Sequence, residues 1–166
     1  MAALYRQGWC GATGLLVPLL TLASPALLRL DGVPPAWGVL WLLPWALVDG
    51  PVSGVVAGLA LGLVLDGLHP GPVSEIPALM VLGWWWGRIG RRGPQIERSF
   101  SLGLLALLGT LVLGGTLLAQ FAWLAEAGPP QLHTLLAQTL LTALLAPMLC
   151  SLQLLLWRHR TRGLRG

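Results

Sequence analysis

The sequence predicts an all-α, polytopic integral membrane protein. Six short transmembrane helices form one domain over residues 1–166, with both termini cytoplasmic. Three observations lead there. Hydrophobic residues make up 55% of the chain and charged residues only 10%, whereas soluble domains carry about 25% charge. So few charges cannot form a shell around a soluble core. The ten basic residues are all arginine, and they gather at the ends of apolar runs. That is a membrane-topology pattern and not a nucleic-acid-binding patch. Finally, the stretch LVDGPVSGVVAGLALGLVLDGL at 47–68 spaces Gly50, Gly54, Gly58 and Gly62 four residues apart. In water each helical glycine costs roughly 1 kcal/mol against alanine. In a bilayer the bare backbone lets another helix come close.

Six apolar segments follow in order: about 9–28, 35–48, 51–68, 72–87, 99–124 and 132–157. A spanning helix needs about 20 apolar residues. The fifth and sixth segments exceed that, and the third and fourth are short but sufficient. The second is the weakest, because its length rises only about 21 Å. It borrows from its flanks, crosses a thinned region, or pairs with the third segment as a hairpin. The first segment also has a signal-peptide look: Arg6, an apolar run from Leu15 to Ala23, then Ala-Ser-Pro. Cleavage before Pro25 is chemically awkward, and the apolar run continues through Leu27 and Leu28, so a retained helix is expected.

Arginine placement tests the count. Six spans with a cytoplasmic N-terminus put Arg6, Arg88, Arg91, Arg92, Arg98, Arg158, Arg160, Arg162 and Arg165 inside, leaving only Arg29 outside. This satisfies the positive-inside rule. Merging the second and third segments would move the loop 88–98 and the tail to the other side, so the arginines argue for the short helix. Tryptophans give an independent check. Trp9, Trp84, Trp85, Trp86 and Trp157 fall at expected cytoplasmic ends, and Trp37 and Trp123 at outer ends, where indoles favour the interface. Trp37, Trp41 and Trp45 also recur every four residues, a ridge better read as bulky packing than as a ligand cage.

The glycine row ends at Asp66, a carboxylate inside an apolar segment. Such a group is costly unless it faces protein or water. It lies about 22 Å along the helix from Pro51, near an outer turn. Asp66, His69 and Glu75 are therefore the candidate polar site, a proton, cation or substrate pocket. The plainer reading has Asp66 capping a helix end or bonding the amides of the fourth segment, with His69 and Glu75 at the wet interface. Asp49, before Gly50-Pro51, reads as a turn and cap. Glu126 reads as a loop charge.

Cys10 and Cys150 lack metal spacing and read as reduced, buried thiols. No metal site is expected, since Asp66, His69 and Glu75 match no ligand pattern. Ser-His-Asp, His-Glu-x-x-His and phosphate-loop signatures are missing from the sequence. The expectation is a protein without catalysis, cofactor or nucleic-acid partner. The basic cytoplasmic face, Arg88, Arg91, Arg92, Arg98, Arg158, Arg160, Arg162 and Arg165, attracts anionic lipids at about 1 kcal/mol per arginine. Docking to a cytoplasmic partner would be additional. The row Gly50, Gly54, Gly58 and Gly62 is the expected packing surface, within the bundle or against a partner helix. Its members drift about 40° per step, which suits an inclined, right-handed crossing.

Three segments carry a family resemblance: GVVAGLALGLVLDGL, WGVLWLLPWALVDGPVSG before it, and LLAPMLCSLQLLLWRHR running into the basic tail. Together they resemble the rod shape-determining protein MreD family over about residues 15–160. The resemblance implies a plasma-membrane component of the bacterial cell-elongation and cell-wall machinery. Its partners would be an MreC-like membrane protein, an MreB-like filament and the peptidoglycan synthases. The implied fold is similar to the substrate-binding S subunits of energy-coupling-factor vitamin transporters. That similarity supplies the alternative function, an outward-facing vitamin site. The tryptophan richness departs from both patterns.

Overall fold

A computed structural model describes residues 11–23, 32–68, 71–91, 99–124 and 132–163, side chains at 99, 100, 132 and 157–163 excepted. Every regular element among them is helical. A short 3-10 turn, Thr13–Leu15, leads into α1 (Leu16–Ala23). Then come α2 (Trp37–Asp49), α3 (Pro51–Leu68), α4 (Ile76–Gly90), α5 (Ser99–Leu124) and α6 (Leu132–Gly163). Among the described residues, three stretches are long and apolar enough to cross a membrane: Pro51–Leu68, Ser101–Leu124 and His133–Leu156. Their outward faces are rows of exposed aliphatic side chains, such as Val52, Val56 and Leu63 on α3 and Leu136, Leu140 and Leu144 on α6. Water would penalise those faces and hydrocarbon does not.

The weak second segment occupies the centre of the bundle. Every residue of α2 from Trp37 to Ala46 is buried, and the helix packs against each of the other five. A helix apolar on all sides belongs in such a position. Its length follows from its ends. Pro34 and Pro35 precede it, and the Trp37 amide donates to the Pro35 carbonyl at 2.9 Å. At the other end Gly50 has φ +96°, a conformation that favours glycine. Its amide closes the last turn on Ala46 at 3.0 Å. Pro51 then opens α3, where a missing N–H costs nothing. One residue therefore separates two antiparallel helices.

Pro44 interrupts α2 and cannot donate to the carbonyl of Leu40, one turn back. The thiol of Cys150 on α6 donates to that oxygen instead, at 3.5 Å. The uncapped start of α2 is met in the same way. Ala36 donates its amide to Thr142 Oγ1 at 3.0 Å, and Thr142 passes its own proton to the Gln138 carbonyl at 2.6 Å. Both α2 defects are thus repaired from α6, as burial away from water requires.

The second segment shifts only slightly, to Trp37–Asp49, while the fourth runs Ile76–Gly90 in place of 72–87 and the sixth extends beyond 157. The fourth segment begins at Ile76 and not near 72, because residues 71–75 form a loop whose capping bonds start the helix later. α6 continues through Gly163, so the first part of the basic tail is helical. At about 48 Å α6 is longer than a hydrocarbon core of about 30 Å.

Candidate functional site

The glycine row meets α4 backbone to backbone. A Cβ at Gly58 would lie 2.5 Å from the Leu79 carbonyl oxygen, and one at Gly62 would lie 2.7 Å from the Ile76 Cα. Gly54 and Gly83 face each other so closely that a Cβ on either would collide with the other's carbonyl oxygen. The contact continues to Gly87 against Pro51 at the start of α3, and beyond it Gly90 meets Leu47 of α2. Each step along α3 is matched by a step back along α4, as antiparallel helices require. Gly50 stands apart from the row. It forms the turn, and the Arg91 guanidinium lies where its side chain would be, with Nε at 3.1 Å.

The α4 members Gly83 and Gly87 are half of this contact, and the sequence reading passed over them. Their signal was available: Gly83-Trp-Trp-Trp-Gly87 repeats the four-residue spacing of α3. The three tryptophans between them point instead to a membrane interface. Only Trp84 of the three is exposed. Trp86 is fully buried, its ring pressed on Gly109 of α5. Trp37 is buried as well, so neither it nor Trp86 is the interface residue expected. Among the described residues, the Trp37 and Trp86 indole nitrogens are buried without a hydrogen-bond partner.

At the far end of this hairpin, Asp66 turns onto the start of α4. Its Oδ1 accepts the Glu75 amide at 2.9 Å, and its Oδ2 accepts the Ser74 hydroxyl at 2.5 Å. Ser74 Oγ in turn accepts the Ile76 amide at 3.1 Å. Helix N-termini leave amides unpaired and carry partial positive charge, so a carboxylate is stabilised there. Gln120 on α5 holds the same loop from the other side. It accepts the Ser74 amide at 2.8 Å and donates to the Ser74 carbonyl at 2.9 Å. Of the three residues grouped by sequence, Asp66 and Glu75 thus meet through the Glu75 backbone, and His69 lies outside the described residues. Ser74 and Gln120 complete the cluster and carried no sequence signal, since Gln120 is remote in the chain.

The opposite end holds a second polar chain. Trp45 Nε1 donates to Ser53 Oγ at 3.1 Å, and Ser53 donates to Asp49 Oδ2 at 2.6 Å. The tryptophan ridge is a packing feature. Trp41 and Trp45 stack at 5.1 Å between ring centroids. Trp41 donates to Thr13 Oγ1 at 2.8 Å, and its ring lies 3.1 Å from where Gly14 would carry a Cβ. Of the basic residues singled out above, the side chains of Arg88 and Arg91 are described, and both are exposed. Those of Arg92, Arg98, Arg158, Arg160, Arg162 and Arg165 lie outside the described residues. Cys150 is buried with a free thiol, and Cys10 lies outside the described residues. Among the described residues, no three His, Cys, Asp or Glu side chains converge as a metal site would need.

Compared with family models, curated proteins and solved structures, the chain matches none.

Proposed function

We propose that this chain is a non-enzymatic scaffold of the bacterial cell-elongation machinery, seated in the plasma membrane beside an MreC-like partner. In this reading it crosses the membrane six times, with both termini and the Gly50 end of the bundle cytoplasmic. The MreB-like filament and the peptidoglycan synthases are reached through the partner, and anionic lipids meet the arginines. The observation that carries the reading is how Asp66 is used. The one carboxylate inside the glycine-rich helix is hydrogen-bonded to the head of α4, which favours a packing role over a transport role. The sequence resemblance to MreD points the same way.

The Gly54, Gly58 and Gly62 face is filled by α4, so a partner helix docks elsewhere on the bundle. Depleting the protein in its host tests the reading. Rods should widen and round up while vitamin uptake stays normal. Unchanged cell width together with a vitamin requirement would replace it with the transport-subunit alternative.

A further inference from the structure

The exposed face of α4 changes character along its length. Val81 is 57% exposed and Trp84 46%, and Arg88 and Arg91 at the end of the helix are exposed too. Successive spacings of three, four and three residues hold these four within one narrow stripe. It runs from an aliphatic side chain, through an indole, to two guanidiniums. That is the polarity profile of a phospholipid, from acyl chain through glycerol to phosphate.

The two arginines are held in place. The Arg88 guanidinium carbon sits 4.9 Å above the Trp84 ring centroid, a cation–π geometry. Arg91 lies against the turn at Gly50, with Nη2 3.2 Å from the position a Gly50 Cβ would take. A side chain at Gly50 would crowd it and shift it by a few tenths of an ångström. A guanidinium already ordered on an aromatic face loses less freedom when it binds, and its planar fork matches phosphate oxygens.

We propose that Val81, Trp84, Arg88 and Arg91 form a binding site for one anionic phospholipid. The phosphate is received by the two guanidiniums, and an acyl chain lies along Val81. The site goes beyond general attraction of a basic surface to an acidic membrane, because it depends on an uncharged residue, Trp84. It rests on the reading of the chain as membrane-embedded, but not on a role in cell elongation, so the two fail separately.

Native mass spectrometry tests the site on the full chain released from nanodiscs of phosphatidylcholine with a minority of phosphatidylglycerol. Wild type should retain one phosphatidylglycerol preferentially. W84L removes no charge and should lower that retention about threefold, the factor a cation–π contact is worth. W84F should fall between, which also guards against misfolding of the leucine variant. R88K keeps the charge but loses the fork and should match R88Q. W123L, at the other end of the bundle on a residue 90% exposed, should retain lipid as wild type does. Millimolar inorganic phosphate should not displace the lipid, since it lacks the acyl chain that Val81 receives. Wild-type retention in W84L and R88K, with loss only in R88Q, would reduce the site to bulk charge and overturn the proposal. Displacement by inorganic phosphate would also overturn it.

Discussion

Adding one methyl group at Gly58 should separate helices that adding one at Gly115 leaves alone. The new Cβ of G58A would lie 2.5 Å from the Leu79 carbonyl oxygen, and ordinary contact begins near 3.4 Å. The backbones must part by about the difference, close to 1 Å. A gap of 0.5–1 Å forfeits roughly a quarter to a half of each dispersion contact, and overpacking typically costs about 1–3 kcal/mol. Better helix preference returns at most about 1 kcal/mol. The balance is a net loss of about 0–2 kcal/mol, toward the upper end because the atoms in conflict are backbone. A Cβ at Gly115 meets nothing within 4 Å, so G115A should be neutral or stabilising by up to about 1 kcal/mol. Reversible unfolding in bicelles, followed by steric trapping, measures both. Equal stability of G58A and wild type would refute the close-contact argument, as would equal losses for G58A and G115A.

Other outcomes follow from the polar repairs. D66N keeps an oxygen for the Glu75 amide and should cost about 1 kcal/mol of stability while supporting normal cell shape; loss of function in a folded D66N protein would restore a proton or ligand role. C150A leaves the Leu40 carbonyl without its donor and should cost about 1–3 kcal/mol. C150S should recover most of that in the same unfolding measurement, and identical losses would mean the thiol only fills space. Q120L removes both bonds to Ser74 and should speed hydrogen exchange at Ser74–Ile76 by about tenfold or more, with little change in the middle of α3.

Helices long and apolar enough to cross a membrane were legible from composition, and the turn between α2 and α3 from Gly50-Pro51. The row on α3 announced a close packing surface through its spacing alone. The face it meets was harder to read. GWWWG contains both the glycines that fit α3 and the tryptophans that suggest an interface, and helix rotation decides which matter. Rotation turns Trp86 into the core and leaves Trp84 outside, a tertiary outcome that local sequence does not specify. The central place of α2 was likewise hidden. Its brevity looked like a weakness for spanning, yet a helix surrounded by five others need not meet lipid. Asp66 was recognisable as costly and as a candidate cap. Its partner loop needed Gln120, whose distance in the chain from Ser74 puts the pairing beyond any short-range pattern. Pro44 removes the donor to the Leu40 carbonyl, and no short-range pattern says that a cysteine on α6 would meet that oxygen.

The scaffold reading is tested most directly by purifying the tagged protein from its own membranes and quantifying what accompanies it. Strong enrichment of an MreC-like membrane protein over an unrelated membrane control is expected. An eluate lacking that protein, and containing instead the membrane and ATPase subunits of a vitamin transporter, would contradict it.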